Sequence, residues 1–385
     1  MKTGERPDVL IIGAGVVGAA CAYFCARAGL RVMVLERGGV AGGTTSGGEG
    51  NILVSDKEPG PELDLALLSV RLWGELGERF GPGAFELERK GGVVVAQSAE
   101  AAEGLAKLTA RQRARGVEAV DVSAAELAEL EPNLTRDVRT GAYYPQDSQV
   151  QPMLAAAGLL RAARELGATV HLGTEVLAFR EHGVATSRGE VAAPWVVNAA
   201  GTWGGAVAAL AGAPVPIRPR RGFVLVTEPL PRVIRHKVYT ADYVANVASG
   251  DAGLETSVVV EGTQAGPVLI GASRERVGFD RQFSLPVVRK LAARALGVFP
   301  FLAEVSLLRS YLGFRPYCPD HLPVLGADPR RPGLVHACGH EGAGIGLAAA
   351  TGHLIAQQLT GVAPDLDLTP FRADRFADLR TGDPA

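Results

Sequence analysis

The run Gly13-Ala14-Gly15-Val16-Val17-Gly18 lies between a short apolar stretch, DVLII, and a helical pattern that Gly29 stops. A second apolar run, RVMVLE, closes on Glu36. Strand, glycine turn, helix and a strand ended by an acid together form the pattern that binds a dinucleotide. Gly13 permits the tight turn, Gly15 lets a pyrophosphate approach the backbone, and Gly18 lets the helix pack on its strand. The helix start at Val16 and Val17 offers free N–H groups and partial positive charge to phosphate oxygens. Glu36 can accept from both ribose hydroxyls, and its charge disfavours a 2′-phosphate.

A second glycine cluster sits close to the other end. Gly339, Gly342, Gly344 and Gly346 crowd the segment GHEGAGIG, and an apolar helical pattern begins near Gly344. A helix N-terminus favours negative charge developing in front of it. A reduced flavin carries such charge at N1 and the C2 oxygen. The two turns are therefore predicted to close over opposite ends of one cofactor, the first at the pyrophosphate and the last at the ring.

Two further stretches fit that arrangement. Residues 38–64 form a long loop rich in Gly, Ser and Thr with no periodicity, and such loops inside compact folds are usually functional. Arg37, Thr44, Thr45 and Ser46 are placed to donate to phosphates or to lie along an extended cofactor. An NAD domain would continue with alternating strands and helices, so the loop favours FAD, with NAD as the alternative. In WVVNAAGTW, the small residues Ala199, Ala200 and Gly201 at a strand's carboxyl end would let a cofactor lie against the backbone. Trp203 would then cover it.

The elements that must position these groups read as follows. Helices are predicted over 64–80, 98–116, 123–134 and 285–299, and from Pro152 to Gly167. The third carries a capping box at Ser123 and Glu126. Strands are predicted over 91–96, 169–172, 175–181, 194–201 and 333–339. Residues 217–312 otherwise carry β-branched alternating runs with Gly and Pro turns, the texture of an antiparallel sheet. The expected class is α/β plus α+β: a Rossmann-like, glutathione-reductase-like FAD-binding domain interrupted by an antiparallel-sheet substrate domain. The FAD-binding domain is expected over 1–80, 140–215 and 313–385, and the substrate domain over 81–139 and 216–312.

Composition agrees with a two-domain chain. There are 385 residues, 47% of them apolar, enough to bury a large core. The formal net charge is −2 with no block of like charge, which excludes a nucleic-acid footprint. Of four cysteines none forms a C-x-x-C pair, and Cys21 and Cys25 lie one helical turn apart in an apolar run. They read as small core residues, no metal site is expected, and the usage fits a reducing compartment. The apolar run 9–35 is broken by glycines and holds Arg27 and Arg31, which argues against a membrane span or signal peptide. A cytoplasmic location is expected, with attachment to the inner face of the membrane left open.

Taken together, VLIIGAGVVGAACAYFCARAG with Glu36, GGTTSGGEGN, VVNAAGTW, GFRPYCPDHLPVLG and GHEGAGIGLAAATG span nearly the whole chain. In combination they resemble the FAD-dependent amino-acid oxidases and dehydrogenases, the family of glycine oxidase, sarcosine oxidase and D-amino-acid dehydrogenase. With VLIGASRERVGFD, the last two are most similar to one branch. That branch holds the FAD subunits of heteromeric opine oxidases, hydroxyproline or proline dehydrogenases and hydrogen cyanide synthases.

The resemblance implies non-covalent, extended FAD and oxidation of a Cα–N bond by hydride transfer to flavin N5. It also implies partner subunits carrying an iron–sulfur centre or a second flavin. Gly43, Gly50, Asn51 and Val176 join the cofactor contacts on this basis, as do Ala343 and Ile345 with the last glycines. Arg315 of the G-x-R-P motif is implied to clamp the substrate carboxylate, a role that suits a planar guanidinium. Covalent relatives carry a cysteine two residues before that arginine, and Gly313 stands there instead. Glycine oxidase carries a tyrosine in the strand that reads Val258 to Thr263 here. In its absence Glu261, Tyr243 and His340 are the candidates for the amine side. The alternatives left are an NAD-dependent dehydrogenase and a flavin-holding subunit without catalysis of its own.

Overall fold

The computed structural model describes residues 6–81, 83–243 and 250–377. The extreme ends of the expected first domain, 1–5 and 378–385, lie outside the described residues.

Val9–Ile12 is buried on both faces, as its uninterrupted apolar sequence requires of a strand inside a parallel sheet. It sits within a six-stranded sheet whose spatial order is 324–327, 334–338, 195–198, 9–12, 32–36 and 169–172. All neighbours there run parallel except the outermost pair, Val324–Ala327 with Leu334–Cys338. The first helix, Val16–Arg27, covers one face and packs against the last, Gly344–Thr360, and against Pro152–Glu165. The first and last helices can touch backbone to backbone because Gly352 lacks a side chain. A Cβ there would stand 2.5 Å from the carbonyl carbon of Ala20. Gly361 ends the last helix in the left-handed conformation, φ 73°, that favours glycine.

The second sheet has eight strands in the order 307–317, 218–229, 267–274, 255–262, 237–240, 92–96, 140–144 and 120–123. Its pairs are antiparallel apart from Lys237–Thr240 beside Gly92–Ala96. Leu285–Val298 packs across one face of this sheet over Phe223, Leu225, Val258 and Ile270. The strand Thr140–Tyr144, expected with the first domain, pairs in this second sheet instead. Leu307–Tyr317 likewise runs unbroken through the expected boundary at 313.

Local expectations hold where capping chemistry is explicit. Ser123 and Glu126 form the reciprocal capping box, although that helix is only Ala124–Leu130. Pro152 occupies the first turn of its helix, and Ser98 caps Ala99–Arg113. The strand at Val176–Arg180 extends into a three-stranded meander with Gly183–Thr186 and Gly189–Val191, which the sequence reading does not foresee.

The topology explains how distant segments meet. Strands 334–338, 195–198 and 9–12 are consecutive neighbours in the first sheet. The turns at Gly339, Ala199 and Gly13 therefore leave from adjacent carboxyl ends, the edge at which open parallel sheets bind ligands.

Candidate active site

The three turns open onto one cavity of about 340 Å³. Gly13, Gly15, Val16 and Val17 of the first turn line it, with Glu36, Arg37, Gly43, Thr44, Thr45 and Asn51. Val176, Ala199, Ala200, Gly201 and Trp203 add a second wall. Gly342, Gly344 and Ile345 of the last turn form a third, beside Arg315, Tyr243 and His340.

Six of the expected residues stand off this wall. Gly18 packs inward, since a Cβ there would lie 2.0 Å from the Gly13 carbonyl oxygen. Gly50 is pressed against the Val150 backbone, and the Gly346 carbonyl accepts from Ser69 and from Trp73 at 3.1 Å. Ser46 is exposed and donates to the Gly43 carbonyl. Ala343 faces a second, neighbouring cavity of about 350 Å³. Glu261 is buried behind the wall, where it pairs with Lys237 at 2.8 Å.

The Glu36 carboxylate accepts from the Ala14 N–H at 3.0 Å and the Gly38 N–H at 2.7 Å. It thereby braces the first turn while keeping lone pairs for hydroxyl donors, because a carboxylate can accept about four bonds. Thr45 Oγ1 accepts from Val16 N–H at 3.0 Å, and the Thr202 hydroxyl donates to the Phe314 carbonyl at 2.6 Å. Thr44 and Thr202 share a 2.8 Å bond. These contacts tie the long loop to both sheets. The Arg37 guanidinium lies 4.2 Å from the centre of the Trp203 ring, which stacks on Phe279.

Arg315 projects from Leu307–Tyr317, and its Nη1 donates to the Ser273 carbonyl at 2.8 Å. Its cross-strand neighbourhood is emptied for it: a Cβ on Gly222 would lie 2.2 Å from that Nη1. Burial and the nearby Arg274 push the Arg315 guanidinium down to about 10. Among the described residues no carboxylate lies within 4 Å of it. Tyr243 lies under the Arg274 guanidinium, 4.8 Å from ring centre to carbon. His340 is buried, shares a 3.0 Å bond with Thr351 Oγ1, and is pushed down to about 3 by burial, so it is neutral near pH 7.

Two acids on the wall were not foreseen. Glu49 and Glu341 line the cavity, each set in a run of otherwise small or uncharged residues, and that isolation was the available signal. His321 pairs with Glu341 at 3.0 Å, and both backbones are left-handed, φ 60° and 47°.

A family model described as "FAD dependent oxidoreductase", DAO, matches residues 8–358. The chain belongs to the DAO family of FAD-dependent oxidoreductases. It is 32% identical over 383 residues to glycine oxidase of Geobacillus kaustophilus, covering 96% of this chain and 97% of that one. It is 30% identical over 417 residues to hydrogen cyanide synthase subunit HcnC of Pseudomonas aeruginosa, covering 96% of each. The crystal structure of the Geobacillus kaustophilus glycine oxidase superposes with a TM-score of 0.88 at 29% identity, covering 97% and 99% of the two chains. The protein is thus an FAD-dependent enzyme with the DAO fold.

The cavity passes a fit test for FAD that does not depend on kinship. At Gly15, Gly342 and Gly344 an added Cβ would meet only single side chains, at 3.1 to 3.4 Å. The protein's own packing does not demand glycine there, whereas a cofactor lying against the backbone does. Gly313, at the position of the flavin-linking cysteine in covalent relatives, has no room for a side chain. A Cβ there would stand 2.5 Å from the Gly47 carbonyl oxygen. Among the described residues no group of acidic, histidine or cysteine side chains could hold a metal, and no helix is long and apolar enough to cross a membrane.

Proposed function

We propose that the protein oxidises the CH–NH bond of an amino or imino acid, and that Arg315 binds the substrate carboxylate. Arg315 carries this reading: a cation held in a cavity shared by both glycine turns, with one nitrogen fixed on a carbonyl and no carboxylate partner among the described residues. Desolvation makes a lone guanidinium costly unless an anion arrives to pair with it. The similarity to glycine oxidase supports the same substrate class. Similarity to a protein named as a hydrogen cyanide synthase subunit supports a role as the FAD subunit of a heteromeric dehydrogenase.

The site roles follow. FAD, when bound, would supply the acceptor for one hydride, which carries the two electrons of the oxidation. The Gly13–Gly18 turn with Val17 holds its pyrophosphate, Glu36 its ribose, and Thr44 and Thr45 the extended middle, whereas the Val16 N–H, expected free, is engaged by Thr45. The Gly342–Gly346 turn presents a helix N-terminus to the ring, where fixed dipoles stabilise charge gained on reduction. The packing of Gly313 supports non-covalent attachment. Arg315 sets the acid's orientation, and catalysis on this side is chiefly positioning. The six-stranded sheet serves the cofactor and the eight-stranded sheet the substrate.

The test is anaerobic bleaching of the purified yellow protein against amino acids, prolines, N-methyl amino acids and opines. At least one carboxylate-bearing amine should bleach the flavin bands. A flavin-loaded protein that none of them reduces would overturn the reading and leave a flavin-holding subunit.

A further inference from the structure

Glu49 is 7% exposed and lines the cavity that holds Arg315. Among the described residues its Oε1 has no hydrogen-bond partner, and its Oε2 has only a long contact, 3.5 Å, from Asn51 Nδ2. The fold makes space for this carboxylate, since a Cβ on Gly271 would stand 2.6 Å from Oε1. Nor does the fold neutralise it. The nearby buried cation, Lys237, is engaged by Glu261 at 2.8 Å, and among the described residues no cation lies within 4 Å of Glu49. Burial pushes the Glu49 carboxyl up, Lys237 opposes this and Glu261 adds to it. A buried acceptor left open costs stability and has no structural return here. Among the described residues, the cavity wall therefore holds a cation without a carboxylate partner, Arg315, and a buried carboxylate without a close cation, Glu49.

We infer that Glu49 is the amine-side contact, its carboxylate accepting an N–H from the substrate amine while Arg315 holds the carboxylate. The inference rests on the amino-acid reading above and sharpens it. The site selects acids that carry an N–H donor and rejects the same skeleton without one, because an amine-free ligand would leave the Glu49 carboxylate buried and unmet. Glu261, one of the three candidates from the sequence with Tyr243 and His340, is the partner of Lys237 instead.

The experiment uses the FAD-loaded protein and its Glu49→Gln, Glu49→Ala and Arg315→Ala variants. The probes are the panel acids that bleach the flavin, together with two isosteric pairs, proline with cyclopentanecarboxylate and N-methylglycine with butanoate. Half-saturating concentrations for anaerobic bleaching report amine-bearing acids. Perturbation of the flavin spectrum reports equilibrium binding of the amine-free acids. Glu49→Gln should weaken the amine-bearing acids about tenfold and Glu49→Ala roughly a hundredfold, the range for losing a charge-assisted hydrogen bond. Both should bind amine-free acids as well as or better than the parent, with FAD content unchanged. Arg315→Ala should weaken both classes. A Glu49→Gln protein with an unaltered preference for the amine-bearing member overturns the inference while Arg315 stands. Failure of the parent to be bleached by any amine-bearing acid overturns the functional reading, and this inference with it.

Discussion

The first and last glycine turns look alike in sequence and differ in what compels them. In the first, Gly13 is left-handed at φ 111° and a Cβ would lie 2.5 Å from the Ala199 carbonyl oxygen. Gly18 is wedged against Gly13 itself. In the last turn, a Cβ on Gly342 would meet only the Arg315 side chain at 3.4 Å, and one on Gly344 only His340 at 3.4 Å. The first turn is glycine-rich chiefly because protein meets protein. The last is glycine-rich because space is reserved for something that is not protein. Similar motifs thus report different things, the one on folding and the other on occupancy.

Substitutions separate the two. Gly18→Ala should have the largest effect. Its methyl group has no place without backbone movement, and overpacking of this kind costs about 3 kcal/mol. The melting temperature should fall by roughly 5 °C whether or not FAD is added. A variant that melts like the parent would erase the distinction. Arg315→Ala sharpens it on the other side, where the last turn's open face looks onto the guanidinium. KM for the acid should rise about a hundredfold, at 1.4 kcal/mol per decade, with FAD retained. Unchanged affinity for the carboxylate would remove Arg315 from the substrate site.

Gly342→Ala should leave the FAD-free protein within about 0.5 kcal/mol of the parent. FAD binding should weaken about tenfold, read as the Kd from flavin titration. Destabilisation of the FAD-free form would place this turn with the first. The smallest effect belongs to the pair that braces the last turn. Glu341 raises the His321 imidazole, against the lesser pull of burial. A raised imidazole stabilises the fold fully below its ordinary value near 6.5, and that contribution is lost as pH rises through the raised value. The loss should be at most about 1 kcal/mol, since the pair is partly screened by solvent. It should vanish in His321→Gln, followed as denaturant midpoints from pH 6 to 9.

What was legible in the sequence was local or nearly so. The first turn with Glu36, the capping box at Ser123 and the helix beginning at Gly344 each lie within a few dozen residues, where spacing alone constrains geometry. What escaped depended on strand register across long separations. The register Val238↔Val260 sets Lys237 opposite Glu261 and removes that acid from the cavity. Nothing in the run VVVEG announces a lysine on the neighbouring strand. Glu49 reaches its buried place on the cavity wall only because Gly271, more than two hundred residues on, has no side chain to block it. The hairpin at 183–191 was missed for a different reason, its strands being too short and too weakly apolar to carry a periodic signal.

Val9–Ile12 finds its partners along the sheet in 195–198 and then 334–338, segments far from it along the polypeptide. Contacts so distant along the chain make folding slow. The dinucleotide cradle does not exist until the final helix has docked against Ala20. Cofactor capture then acts as a latch, fastening segments hundreds of residues apart and favouring the folded state by mass action.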